Sequence, residues 1–335
     1  MGNIKVSVIM PIYNDEEFLE ESLDSVISQT LKDIEIICIN DGSTDKSLEI
    51  LKEYSKKDER ITIINQKNFG SGIARNEGIK VAKGKYISFL DSDDFYIDKN
   101  SLFQMFSAAK KSDSDMISAN LKIVEKGELV ESLNCINREK KCIVLPEDYG
   151  FPWYFYRSIF KRKFLLENDI RFPHYLRGQD PIFLAEILTK IEYIEHIPID
   201  FYAYRYILNT KTKFNTKQKK IDYISHFIDV FRILNDLKFF KMYNEYETHL
   251  KNFLKHEISK EEKSYIMEAC NNNVFLFKMF ENNLNLIIQE KKIEELNGKI
   301  LKKNNQIKKI KRINKLKNRD EKLKIIDLLK DKIKI

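Results

Sequence analysis

The chain has 335 residues, 43% hydrophobic and 12% aromatic, enough for one large α/β domain and a smaller appendage. Its net charge of +7 comes from the end of the chain: residues 290–335 hold 17 Lys and Arg against 7 Asp and Glu, whereas residues 1–289 hold 41 against 44. This distribution argues against a nucleic-acid-binding protein built on the main domain. No run reaches the ~18 apolar residues of a membrane helix, and no signal-peptide pattern opens the chain. We therefore expect a cytoplasmic protein.

Short apolar runs and amphipathic segments alternate over the first 95 residues or so. The runs predict strands at Lys5–Met10, Ile34–Ile39, Ile61–Asn65 and Tyr86–Leu90. The segments between them predict helices at about Glu16–Gln29, Asp45–Lys56 and Gly72–Val81. A further helix is expected at Asp98–Lys111 and a further strand at Asp115–Asn120. This β-α alternation predicts a Rossmann-like, mostly parallel sheet with flanking helices.

Polar side chains follow the predicted strands at their C-terminal ends, where open α/β sheets bind ligands. They are expected to meet in one crevice of nucleotide-binding type, and they are Tyr13, Asp41, Asn68, Arg75 and the run Asp91–Asp94. Crowded carboxylates repel one another unless a cation lies among them, and oxygen ligands suit Mg²⁺ or Mn²⁺ bridging to phosphates. A solvated Asp-rich turn fits the acidic run equally well.

Two common nucleotide-binding motifs are missing from the sequence. No GxGxxG follows the first strand, and GxxxxGK[ST] occurs nowhere in the chain. Dinucleotide-dependent dehydrogenases and P-loop NTPases therefore lose their main support. A sugar-nucleotide-forming nucleotidyltransferase would need a Gly-, Arg- and Lys-rich loop after the first strand, and Pro11-Ile12-Tyr13-Asn14 is not such a loop.

The second half of the chain holds one more candidate site residue, followed by a region that is predicted to be helical. Asp180 lies between a glycine-containing loop and the apolar helix Ile182–Leu188, where an Asp is by default an N-cap. Residues 221–290 are expected to form a helical appendage to a catalytic domain at residues 1–220. Residues 291–335 predict a basic helical tail that packs on the body or a sister chain through a short coiled-coil seam. An equal alternative is a helix lying peripherally on an anionic membrane at the inner face of the cell membrane.

Five stretches of the chain resemble family 2 glycosyltransferases of the GT-A fold. They are VSVIMPIYN (Val6–Asn14), INDGSTDKS (Ile39–Ser47), NFGSGIARNEGI (Asn68–Ile79), GKYISFLDSDD (Gly84–Asp94) and Gln179-Asp180. The resemblance covers about residues 4–210. It implies a GT-A domain with a C-terminal helical appendage that transfers a sugar from a nucleotide donor, usually with inversion. Such enzymes are common in the synthesis of bacterial surface polysaccharides.

The resemblance also implies roles for individual residues at the donor site. Pro11 and Tyr13 would border the nucleotide base, and Asp41 would accept a hydrogen bond from it. Asp91 would contact the ribose, Asp93 would bind the metal, and Asp94 would assist as a metal ligand. The remaining donor contacts would come from Asn68 and Arg75, which would line the uridine–phosphate pocket. A turn residue at Asp41 and a surface helix residue at Arg75 are the plain alternatives.

The acceptor side of the expected site depends on Asp180. A direct displacement needs a general base for the acceptor hydroxyl, and by resemblance this base is Asp180. The family's usual preceding acid is Gln179 here, so a like charge that would raise the pKa of the base is absent. Arg205 resembles a downstream Arg that meets the diphosphate. Some relatives carry a His shortly after it as a further metal ligand, and Tyr206–Thr210 contains none.

The sequence therefore predicts an inverting, metal-dependent glycosyltransferase that uses Mn²⁺ or Mg²⁺. Its expected substrates are a UDP-sugar and a saccharide or lipid-linked acceptor in cell-surface polysaccharide or glycolipid synthesis, with no nucleic-acid partner. The alternative is a non-catalytic nucleotide- or saccharide-binding subunit of a polysaccharide assembly complex, docked through its basic tail. That subunit would bind UDP tightly without turning over any donor.

Overall fold

The computed structural model of the chain describes residues 4–132, 136–150, 152–205, 216–234 and 237–257. The strands are β1 Val6–Ile12, β2 Ile34–Asn40, β3 Ile61–Asn65, β4 Tyr86–Phe89, β5 Phe95–Tyr96, β6 Met116–Glu125, β7 Glu128–Glu131, β8 Cys142–Val144, β9 Ser158–Lys161 and β10 Ile194–Arg205. The α-helices are α1 Leu19–Ile27, α2 Ser47–Lys57, α3 Ser71–Val81, α4 Ser101–Ser112, α5 Arg162–Glu167, α6 Gln179–Lys190, α7 Lys217–Ile233 and α8 Phe240–Glu257.

The first half of the chain forms a parallel sheet in the order β3-β2-β1-β4. Every residue of β1 is buried, as expected for a central strand covered by helices on both faces. Helix α3 lies very close to β1, because a Cβ at Gly78 would stand 2.4 Å from Cγ2 of Ile9. This close approach fixes the position of α3 and therefore of Arg75, one helical turn earlier. The predicted fold class is confirmed.

An antiparallel strand interrupts this sheet, a feature that the sequence pattern did not predict. Strand β9 pairs antiparallel with both β4 and β6, while β10 runs parallel to β6. The full order is β3-β2-β1-β4-β9-β6-β10-β5, with β7 on β6 and β8 on β10. The short strand β9, Ser158–Lys161, has no alternating apolar and polar pattern that would identify it in the sequence.

Strand β1 is longer than predicted, because it continues through Pro11 to Ile12. Pairing with β4 ends at the Ile9–Phe89 pair, and the carbonyl of Ile9 accepts the last bond on that side, from the N–H of Leu90. The nitrogen of Pro11 faces the same side two residues later, beyond the end of the ladder. The missing N–H therefore removes no hydrogen bond from the sheet.

The helices after β10 belong to the same compact unit as the sheet, at least to Leu250. Helix α7 packs against α6, and its aromatic residues Phe227 and Phe231 are buried together with Tyr246 of α8. Among the described helices, none is both long and apolar enough to cross a membrane. The predicted tail at residues 291–335 and the part of the predicted appendage at residues 258–290 lie outside the described residues. The predicted domain boundaries stay predictions.

Candidate active site

Three carboxylates cluster in the turn that follows β4. One oxygen from each of Asp91, Asp93 and Asp94 can be chosen so that all three lie within 4.8 Å of one another. The turn is closed by the N–H of Asp94, which donates to the carbonyl of Asp91 at 3.0 Å. Burial, followed by the charges of Asp93 and Asp91, raises the pKa of Asp94 well above its ordinary value. An all-oxygen cluster under mutual repulsion fits a hard divalent cation such as Mg²⁺ or Mn²⁺.

The turn Asp91–Asp94, called the acid turn below, is held in place by the C-terminal end of β10. The hydroxyl of Tyr202 donates to Oδ2 of Asp94 at 2.8 Å and accepts from the N–H of Asp91 at 3.2 Å. The backbone N–H of Arg205 donates to Oδ1 of Asp94 at 2.7 Å. Both oxygens of Asp94 therefore accept hydrogen bonds from β10. The main-chain carbonyl of Asp93 accepts a hydrogen bond from Nε of Arg205 at 2.9 Å.

The side chain of Arg205 spans the rim of this cluster. Its Nη2 donates to Oε2 of Glu21 at 2.5 Å, and its guanidinium lies 4.6 Å from the ring centroid of Phe18 and 5.6 Å from that of Phe95. These contacts, together with the bond to Asp93, fix the guanidinium beside the carboxylates. Contact between Arg205 and a diphosphate stays a prediction. The described contacts show that Arg205 holds the acid turn in place.

Arg75 joins the acid cluster to Asp180, 105 residues later in the chain. Its Nη2 donates to Oδ1 of Asp91 at 2.7 Å, and its Nη1 donates to Oδ1 of Asp180 at 3.0 Å. Only 2% of Arg75 is exposed, and its guanidinium lies 5.0 and 5.1 Å from the ring centroids of Phe155 and Phe172. Burial opposes the charge on Arg75, but the two carboxylates outweigh this effect and raise its pKa. The alternative of a surface helix residue is therefore wrong for Arg75.

Asp180 faces Arg75 and does not cap its own helix. Helix α6 begins at Gln179, and the preceding Gly178 takes a left-handed conformation with φ +85°, so Asp180 is the second helical residue. The default expectation of an N-cap is wrong, because the carboxylate turns away from the helix end toward the guanidinium. Burial raises the pKa of Asp180, and Arg75 acts against this rise. A third of the side chain is still exposed, which leaves room for a reacting group beside it.

The buried carboxylate of Asp41 organises the loop that follows β3. It accepts hydrogen bonds from Nε2 of Gln66 at 2.6 Å, the N–H of Phe69 at 2.9 Å and the N–H of Gly70 at 2.8 Å. Both oxygens are thus engaged by the loop that carries Asn68. A direct bond from Asp41 to a nucleotide base stays a prediction. Its described role is to shape the loop that leads into α3 and Arg75.

The other predicted donor residues surround this loop at the C-terminal ends of the strands. Pro11 is buried in β1, whereas Tyr13 is 45% exposed and Asn68 is also exposed on its loop. Sequence reasoning missed Tyr202, Phe155 and Phe172 as parts of the site. Tyr202 could have been identified from its spacing of two residues from Tyr204, which places both tyrosines on one face of a strand. The contacts of the two phenylalanines with Arg75 are long-range and leave no local pattern.

Comparison with known proteins agrees with this geometry. Residues 7–169 match the family model described as "Glycosyl transferase family 2". The chain is 31% identical over 258 residues to the uncharacterized glycosyltransferase EpsJ of Bacillus subtilis, covering 66% of this chain and 70% of the relative. It is 34% identical over 210 residues to the poly(ribitol-phosphate) beta-glucosyltransferase of Bacillus spizizenii, covering 61% of this chain but 32% of that longer protein.

A solved structure shows the same fold. The structure of S. aureus TarS residues 1–349 in complex with UDP-GlcNAc superposes with a TM-score of 0.72 at 19% identity, covering 87% of this chain and 92% of that one. The GT-A architecture predicted from the sequence is therefore confirmed. Together with the family match and the similarity to EpsJ over most of both chains, it shows that this chain belongs to glycosyl transferase family 2.

Proposed function

We propose that the protein is an inverting glycosyltransferase that moves a sugar from a UDP-sugar to a hydroxyl of a saccharide or lipid-linked saccharide in cell-surface polysaccharide or glycolipid synthesis. The observation that carries the proposal is the Asp91–Arg75–Asp180 bridge, with distances of 2.7 and 3.0 Å. It brings the proposed base from the second half of the chain to the acid cluster of the first half. A solvated Asp-rich turn would need neither a buried arginine nor this partner.

Asp180 is the proposed general base. The acceptor oxygen attacks the anomeric carbon from the side opposite the diphosphate, its proton passes to Oδ2 or Oδ1 of Asp180, and the bond to the diphosphate oxygen breaks to release UDP. One displacement of this kind inverts the anomeric centre. The pKa of Asp180 is raised by burial, which makes the carboxylate a stronger base near neutral pH. Arg75 holds the carboxylate in place and favours its ionised form before the reaction.

Asp93 and Asp94 are the residues proposed to hold the cation. A bound Mg²⁺ or Mn²⁺ would neutralise the negative charge that develops on the departing diphosphate. The chain itself prepares the cluster: Tyr202 and Arg205 fix Asp94 through both of its oxygens. Arg205 adds positive charge at the same rim.

Support for the substrates comes from the relatives. TarS was solved with UDP-GlcNAc and with UDP, which supports a uridine nucleotide as the donor. The Bacillus spizizenii relative is named for glucosyl transfer to poly(ribitol phosphate), which supports a surface polymer as the acceptor class.

A donor panel tests the proposal. We expect one UDP-sugar, with UDP-GlcNAc and UDP-glucose tried first, to raise the melting temperature in the presence of Mn²⁺ and to be slowly hydrolysed to UDP. GDP- and dTDP-sugars serve as controls and should do neither. Binding of UDP without hydrolysis of any donor would contradict the catalytic proposal and favour the non-catalytic binding subunit.

A second measurement tests the metal. We expect EDTA to abolish UDP release and Mn²⁺ to restore it, and we expect Asp93→Asn to reduce the rate about 100-fold or more, since cation stabilisation of a leaving group contributes several kcal/mol. Mn²⁺ should raise the melting temperature of the wild type, because it relieves the repulsion among the carboxylates of the cluster. The increase should be much smaller in Asp93→Asn.

Asp33→Asn is the matched control for the metal test. Asp33 is a surface acid that pairs with Lys5 at 2.6 Å. It precedes β2, at the end of the parallel strands opposite the acid cluster, so this variant should behave as the wild type. An undiminished rate in EDTA would refute the metal role of Asp93.

A further inference from the structure

We propose that helix α7 is a positioning element for Asp180, through one face made of Asp222, His226 and Asp229. This inference rests on the proposed function of Asp180 as the base. The three residues are four and three positions apart, so they share one side of the helix. They all contact the short segment Tyr175–Gly178, called here the acceptor loop, which ends two residues before Asp180. Helix α7 lies after the stretch matched by the family model, which ends at residue 169.

Two hydrogen bonds attach the acceptor loop to α7. The backbone N–H of Leu176 donates to Oδ2 of Asp222 at 2.7 Å, and the hydroxyl of Tyr175 donates to Oδ2 of Asp229 at 2.6 Å. Asp222 is 5% exposed, and its other oxygen accepts from Nε2 of Gln218 at 2.7 Å. Both acceptors are carboxylates, which form stronger hydrogen bonds than neutral oxygens.

The third attachment is a close backbone contact. Gly178 has φ +85°, and a Cβ built on it would lie 2.5 Å from Nδ1 and 2.8 Å from Cβ of His226. His226 is fully buried, and burial holds its pKa well below the ordinary value, which favours the neutral ring. Only glycine combines this conformation with this contact. The backbone therefore enters α6 at a position set by α7.

The acceptor loop and the residue after it also contact the start of α3. A Cβ at Gly70 would lie 3.7 Å from Cδ2 of Leu176, and Nε2 of Gln179 donates to Oγ of Ser71 at 2.7 Å. Because Arg75 lies one turn further along α3, the loop packs between α7 and the helix that carries the partner of Asp180. A shift of the loop on α7 would change the separation of Asp180 from Arg75 and from the acceptor.

The test compares Asp222→Ala with Asp222→Asn, which keeps an oxygen for the N–H of Leu176. We expect Asp222→Ala to lower kcat for UDP release from UDP-GlcNAc with Mn²⁺ about 10- to 100-fold, since displacements near 1 Å have effects of this size. We expect the affinity for Mn²⁺–UDP to stay within about twofold, because the donor residues are untouched. Asp222→Asn should recover most of the rate.

Hydrogen–deuterium exchange gives a readout that needs no turnover. In Asp222→Ala the peptide covering residues 172–180 should exchange faster, and in Asp222→Asn it should exchange as in the wild type. Tyr175→Phe, which removes the bond to Asp229, should act in the same direction as Asp222→Ala. Tyr86→Phe is the matched control. It removes a buried hydroxyl at the start of β4 that donates to the carbonyls of Ala109 and Ser114, neither of which belongs to the acceptor loop or α7, and it should change neither readout.

The possible outcomes separate this inference from the proposed function. Unchanged exchange in Asp222→Ala, or a normal rate despite faster exchange while Asp180→Asn is inactive, would overturn the positioning role alone. A normal rate in both Asp222→Ala and Asp180→Asn would refute the base assignment and, with it, the catalytic consequence of the α7 contacts. An equal loss in Asp222→Asn and Asp222→Ala would also overturn the inference, because the hydrogen bond would then not be the cause.

Discussion

Replacing Asp180 by Asn should lower the rate of UDP release about 10²- to 10⁴-fold, the range that a general base contributes. The amide oxygen can still accept the hydrogen bond from Nη1 of Arg75, so the bridge geometry is preserved while the basic site is lost. Binding of Mn²⁺–UDP should therefore stay close to that of the wild type. Steady-state kinetics and calorimetric titration of UDP together measure the two effects.

The pH dependence of the same reaction gives an independent check. The pKa of Asp180 is raised above its ordinary value by burial, so the base is protonated, and inactive, at a higher pH than a solvent-exposed Asp. In the wild type we expect the rate to fall as the pH drops through this raised pKa. In Asp180→Asn the residual rate should lack that acid limb.

Glu186→Gln is the control on the same helix. Glu186 lies six residues further along α6 and pairs with Lys190 at 2.7 Å, so it tests whether any loss of an acid from α6 slows the enzyme. It should retain the wild-type rate. Full activity in Asp180→Asn would remove Asp180 from the mechanism.

The acid cluster was predictable because its signal is local. A buried strand that runs directly into Asp91, Asp93 and Asp94 identifies both an edge of the sheet and a set of crowded carboxylates in one stretch of sequence. The parallel order of the first four strands follows in the same way from short β-α alternation. In each case the residues that define the feature are neighbours in the chain.

The N-cap alternative for Asp180 was wrong for the opposite reason. An Asp before an apolar helix is an N-cap in most sequences, and nothing nearby indicates that its partner is Arg75, 105 residues earlier. The same limitation applies to the hydrogen bond between Tyr202 and Asp94, which are 108 residues apart. It also applies to the position of β9 between β4 and β6. Contacts of this range depend on the packed sheet and not on any local spacing.

Replacing Arg75 by Met should destabilise the fold and abolish the activity. The change leaves the carboxylates of Asp91 and Asp180 in the site without their shared cation, and breaking a buried ion pair from one side costs about 3–5 kcal/mol. We expect the lower end, about 3 kcal/mol, since 24% and 33% of the two partner side chains remain exposed to water. Urea denaturation of the variant and the wild type measures the difference.

Arg60→Met provides the matched comparison. Arg60 pairs with Asp58 at 2.5 Å, with 19% and 12% of the two side chains exposed, and the pair lies outside the site. This variant should also lose stability but should keep its rate of UDP release per folded molecule. Arg75→Met should lose both, which separates a general effect on folding from an effect on the site.

The pH dependence of stability identifies the cause of the loss in Arg75→Met. Arg75 acts to lower the pKa of Asp180, so its removal raises that pKa further above the unfolded value. The added cost is then fully present above the raised folded pKa and disappears as protonation neutralises the carboxylate at lower pH. The difference in unfolding free energy between Arg75→Met and the wild type should therefore narrow as the pH falls from about 7 toward the ordinary carboxyl range of about 4.

For the same reason, adding Asp180→Asn to Arg75→Met should restore part of the lost stability. A gap that is independent of pH, with no recovery in the double variant, would show that Arg75 contributes by packing on Phe155 and Phe172 and not by holding the two carboxylates.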